Sequence, residues 1–181
     1  MRLLRTLLFT LLALSCALGS QVSQNSEGAV LPAVTANSLD RVRVALPADF
    51  TAPLNLLILS FVRDQQAAVE GWIPVLPSGG KTQTWVLPIS ARESGLYRWW
   101  LNASLRGDLP PTLPRRYWVP LYVNKTQFLG SLQVSSEKEV VLLLTDKTGH
   151  VLWRTTGPVA DSKKDELNKF VNQFMSQPGP H

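Results

Sequence analysis

Residues 54–62 read Leu-Asn-Leu-Leu-Ile-Leu-Ser-Phe-Val, a nearly unbroken apolar run of strand length. A half-buried strand alternates apolar and polar residues; one this apolar must be covered on both faces. The chain therefore has to supply layers on either side of a sheet, which points to an α/β architecture. Upstream, Val42, Val44 and Leu46 alternate with Arg41, Arg43 and Ala45, the signature of a strand with one wet face.

After the apolar run, Asp64 is placed to cap a helix that carries Val69, Trp72, Ile73 and Leu76 at helical spacing, and Pro74 and Pro77 end it. Thr84–Ser90 predicts a second strand, near its end or at a sheet edge where Pro88 removes a donor. Glu93–Leu105 predicts a helix with Tyr97, Trp100, Leu101, Ser104 and Leu105 on one face and Trp99 opposite them. Between Pro114 and Val123 the chain is dense in arginine and aromatics, and Pro114 and Pro120 argue against continuous strand pairing. Glu139–Asp146 and Val151–Thr155 flank Lys147-Thr148-Gly149-His150, a β-hairpin pattern. Ser162-Lys163-Lys164-Asp165 resembles a capping box before an amphipathic helix bearing Leu167, Phe170, Val171 and Phe174.

Residues 1–19 have the grammar of an export leader: Arg2 and Arg5, the apolar stretch Leu7–Leu14, then Ala17-Leu18-Gly19. The apolar stretch is short for a span, which needs about 20 residues. Cleavage as a signal peptide, lipidation at Cys16 in a lipoprotein-like box, and retention as an anchor or organelle presequence all stay open. Residues 20–38 read as a flexible spacer, 39–176 as the folded domain, and 177–181 as a disordered tail. The expectation is an exported protein, periplasmic or extracytoplasmic, with membrane association through the leader.

Cys16 is the only cysteine of the chain. The folded part therefore has no thiolate nucleophile and no disulfide partner. Losing the leader would remove two arginines and leave a net charge of about +3, too mild to argue for nucleic acid.

Other motifs have plain readings. Asp146-Lys147-Thr148-Gly149 spells a phosphorylation motif, but without companion carboxylates it reads as a turn. Gly79-Gly80-Lys81-Thr82 resembles the end of a phosphate loop, yet its first required glycine is Val75. The two histidines, His150 and His181, have no metal-ligand spacing. Asn102-Ala103-Ser104 and Asn124-Lys125-Thr126 are sequons read as chance. No catalytic residue, metal site or cofactor is expected.

The element order, two strands, helix, strand, helix, hairpin, helix, resembles a thioredoxin-like three-layer α/β/α domain with a mixed central sheet. In redox-active proteins of that fold a thiolate sits where the first helix follows the central strand; here that place holds Val62-Arg63-Asp64-Gln65. More narrowly, the chain resembles the family of the mitochondrial ATP synthase assembly factor Atp10. The resemblance rests on Ser60–Arg63 through Val69–Ile73, Tyr97-Arg98-Trp99-Trp100 with Leu105-Arg106-Gly107, Trp118–Lys125, and the hairpin with Gly157. It implies a thioredoxin-like protein without redox chemistry that helps a hydrophobic membrane subunit assemble.

A binding protein needs aromatic side chains beside solvated charges. The expected partner-binding residues are Trp99, Arg115, Arg116, Tyr117, Trp118, Tyr122, Trp153 and Arg154. For each of these aromatics core packing is the other reading, and it is the preferred one for Trp72, Trp100 and Trp118; Trp99, opposite its helix's apolar stripe, is the one expected to be exposed. The function expected is non-catalytic binding of a protein client, an integral membrane subunit being the class the resemblance implies. A ligand-binding lipoprotein and a thiol-independent enzyme are the alternatives.

Overall fold

The computed structural model describes residues 28–75, 80–90 and 111–176. The apolar run forms β3 (Leu54–Ser60), and all of its residues but Ser60 are buried. On one side β3 pairs in parallel with β4 (Thr82–Ser90), with Leu56 opposite Thr84. On the other it pairs antiparallel with β6 (Val141–Asp146), with Leu56 opposite Leu144. A two-residue β5 (Leu121–Tyr122) extends β4 in parallel, and β7 (Val151–Thr156) closes the far edge against β6. The sheet order is β5-β4-β3-β6-β7.

Successive side chains of β3 enter opposite faces. Leu57 and Leu59 join Trp85, Leu87 and Leu143 in one core. Leu54, Leu56 and Ile58 join Val86, Leu142 and Leu144 in the other. Each such leucine contributes about 1.5–3 kcal/mol when fully removed from water. The first core is covered by a hairpin of β1 (Val34–Asn37) and β2 (Arg43–Leu46) and by Phe128 and Leu129 of α2 (Lys125–Ser131). The second is covered by Val69 and Trp72 of α1 (Gln66–Trp72) and by Leu167 of α3 (Asp161–Ser176). Both faces are thus covered, as the sequence of β3 demands.

The structure corrects several expectations. The segment read as a spacer to residue 38 enters the fold: Ala29 and Leu31 are buried, Leu31 N donates to Gly149 O at 2.8 Å, and β1 pairs with β2. The folded domain therefore reaches at least ten residues upstream of Leu39. Val42 lies outside β2 and is 55% exposed, whereas Val44 and Leu46 are buried as their alternation predicts.

Asp64 does not cap a helix. Arg63–Gln65 forms a 3-10 turn with no side-chain cap, and α1 follows it. Ser162 lies inside α3 rather than before it, so it is no N-cap. Helix α2 was not foreseen. Its N-cap is Asn124 of the second sequon, whose Oδ1 accepts from Gln127 N at 3.2 Å. Pro88 stands near the end of β4, opposite the last residue of β3, and β5 pairs only beyond it. The hairpin of β6 and β7 forms as expected, with Gly149 at φ 91° in its loop. The expected helix at 93–105, the leader and the tail fall outside the described residues.

Candidate functional site

In open α/β sheets, sites form beyond the carboxyl ends of the parallel strands. Here that rim is built by the residues that follow β3, by the start of α2 after β5, and by the segment leading to β6. Immediately after β3 come Phe61, half-buried, and Val62, 58% exposed.

Gln65 is the residue that fixes this turn. It is 7% exposed and satisfied at both ends of its amide. Its Oε1 accepts from Phe61 N at 2.7 Å, and its Nε2 donates to Glu137 O at 2.9 Å. A side chain from the turn thereby ties the end of β3 to the segment before β6. Lys125, the first residue of α2, spans the same gap. Its ammonium lies 5.6 Å from the Phe61 ring centre and forms an ion pair with Glu137. The site therefore presents an exposed valine beside a capped aromatic ring and a paired lysine and glutamate.

The position that serves a thiolate in redox proteins is occupied by side chains without a nucleophilic sulfur, and Cys16 lies outside the described residues. No group of three or more His, Cys, Asp or Glu that could hold a metal ion occurs among the described residues. The Asp146 carboxylate is engaged in its own turn. Oδ1 accepts from Thr148 N at 2.8 Å, Thr148 Oγ1 at 2.7 Å and His150 N at 3.0 Å. Burial pushes this carboxyl up, but bonds from the Thr148 hydroxyl and the His150 and Thr148 amides, with the nearby His150, hold it below its ordinary value. That is the turn chemistry expected of the Asp-Lys-Thr-Gly segment.

The residues singled out in the sequence do not form one patch. Arg115 and Arg116 are exposed on a 3-10 turn before β5. The Arg116 guanidinium lies 4.6 Å from the ring centre of half-buried Tyr117, and Tyr117 meets Trp85 edge-on at 5.1 Å. Trp118 is 1% exposed and Trp153 4%, so both are core residues and neither offers a contact surface. Trp153 Nε1 donates to Glu166 at 3.1 Å, pinning α3 to β7.

Arg154 also has an internal task. Its Nη1 and Nη2 donate to Gln133 O and Leu132 O, carbonyls at the carboxyl end of α2. Burial lowers its pKa. Tyr122, half-buried on β5, lies at the opposite sheet edge from Trp153 and Arg154 on β7. Trp99 lies outside the described residues. Sequence reasoning missed Phe61, Lys125 and Glu137, which come together only through the fold; Gln65 was noted only as part of the helix start.

No family model matches the chain, and no curated protein sequence matches it. Solved structures do. The exposed lipoprotein thioredoxin Etrx1 of Streptococcus pneumoniae TIGR4 superposes with a TM-score of 0.54 at 13% identity, over 78% of this chain and 99% of that one. BsSco, a member of the Sco family of cytochrome c oxidase assembly proteins, gives 0.52 at 13% identity, over 84% and 96%. StoA of Bacillus subtilis gives 0.51 at 8% identity, over 78% and 98%. At these identities the likeness is one of fold: the chain has a thioredoxin-like fold.

Proposed function

We propose that this protein is a non-catalytic, exported thioredoxin-like domain that binds a protein client through the rim around Val62. The observation that carries the reading is the Gln65 clamp. At the place where the fold supports thiol chemistry, the chain has an amide locked between Phe61 and Glu137 and an exposed valine beside it. A side chain with both ends satisfied builds a rigid surface, and rigid surfaces bind at low entropic cost.

The leader grammar and the exposed lipoprotein among the similar structures favour an extracytoplasmic location. The Atp10-like pattern makes an assembly factor for a membrane complex the finer form of the proposal. The fold is one on which BsSco belongs to an assembly family.

A photo-reactive residue placed at Val62 tests the reading in solubilised membranes, with the same residue at exposed Lys169 of α3 as control. The expected result is a discrete protein adduct at Val62 and none at Lys169. Equal labelling at both positions would remove the client site. Reduction of insulin disulfides or decomposition of peroxide above a denatured control would overturn the non-catalytic assignment.

A further inference from the structure

The hairpin of β1 and β2 closes through residues 38–42. Ser38 N donates to Val42 O and Arg41 N to Ser38 O, both at 2.9 Å. Val42 N donates back to the Ser38 hydroxyl at 3.3 Å. Arg41 takes φ 65°, a left-handed conformation that side chains rarely adopt. The turn buries Leu39 and leaves Arg41, Val42 and Arg43 exposed.

Leu39 N donates to Trp118 O at 3.0 Å. This bond seats the hairpin tip against the 3-10 turn that carries Arg115 and Arg116. Two residues of chain reach at most about 7 Å, so the backbones of Arg41 and Arg116 both lie close to that bond. Arg43 stays nearby because it pairs with Asn37 next to the turn. Within residues 38–42 the one acid is Asp40.

We propose that Arg41, Arg43, Arg115 and Arg116 form a cationic face that seats on anionic phospholipid, with Val42 entering the boundary between headgroups and chains. The commitment to lipid rests on Val42, an apolar residue 55% exposed that stands between Arg41 and Arg43 in the chain. Arginines that bind phosphate while an apolar neighbour enters the interface are the composition of a peripheral membrane contact. A single-stranded nucleic acid would need an open stacking ring, but the Tyr117 ring is flanked by Arg116 and Trp85. This face is independent of the rim around Val62.

The test is co-sedimentation of the full chain with vesicles of phosphatidylcholine alone or mixed with phosphatidylglycerol. The chain is compared with an Arg41→Asn, Arg43→Gln variant; asparagine tolerates the left-handed φ. Both proteins keep the leader, so its contribution cancels. Each arginine near a charged surface is worth roughly fivefold in partitioning. The variant is therefore expected to lose tenfold or more on the mixed vesicles at low salt and nothing on the neutral ones. An Arg115→Gln, Arg116→Gln variant, changed on a different element, is expected to fall in the same direction. Unchanged partitioning of both variants, with melting temperatures intact, overturns the proposal. So does a loss confined to binding of soluble polyglutamate, which would assign the face to an acidic protein instead.

Discussion

At the scale of single residues, the molecule turns on two side chains that bind backbone groups of other segments, Gln65 through both ends of its amide and Arg154 through its two Nη atoms. Replacing Gln65 with alanine leaves the Phe61 amide and the Glu137 carbonyl without their partner. Leaving buried polar groups unpaired costs about 1–3 kcal/mol. Urea unfolding of Gln65→Ala should show that loss. Gln65→Glu keeps the shape and the acceptor but lacks the donor toward Glu137 O. Its loss should shrink as acid protonates the new carboxyl, and a loss independent of pH would remove the clamp assignment. Arg154 is the second case. Arg154→Met should destabilise by about 1–3 kcal/mol and speed hydrogen exchange at the end of α2, because carbonyls of Leu132 and Gln133 lose their donor. Weakened client binding with unchanged stability would instead return Arg154 to the contact surface expected from sequence.

At the scale of elements, caps and turns decide the outcome. Asn124→Ala should cost about 1 kcal/mol in thermal or urea unfolding through loss of the α2 N-cap. The Asp146 turn should make stability depend on pH. Its folded pKa lies below the unfolded value of 3.8, so its contribution is present above that value and fades as pH falls through the lower folded one. Asp146→Ala should therefore unfold more readily near neutrality, and its stability should fall less than that of the parent chain below about pH 4. Parallel stability curves for the two proteins across that window would contradict this account.

Which elements were legible follows from the same physics. β3 announced itself because its apolar run leaves one way to be buried, and the β6–β7 hairpin because Gly149 marks its loop. β1 is Val-Thr-Ala-Asn, half-buried on one side only, so no strong period betrays it. α2 has seven residues with a glycine, and only Phe128 and Leu129 are buried. Trp118 and Trp153 look like interface residues by type, but burial is a property of the assembled sheet. The turn after β3 was legible as the place where relatives of this fold keep a thiolate, but it read as a plain helix cap and the contact residues were expected elsewhere. Its chemistry was not, since Gln65 and Glu137 are 72 residues apart in the chain.

At the scale of the whole molecule, the two cores sit on opposite faces of one sheet and neither depends on a covalent crosslink. The melting temperature should be the same with and without a thiol reductant, and Cys16→Ser should leave it unchanged. A shift under either condition would show that sulfur supports the domain. The placement of Ala29 and Leu31 beside Gly149 and Val151 also fixes the corner at which the described residues begin. That corner adjoins the amino end of β3, while Val62 follows its carboxyl end. Seven residues of strand put the two about 20 Å apart. A purification handle or resin joined ahead of residue 28 thus grips the domain by its heel, leaving the Val62 rim pointed outward for capture experiments.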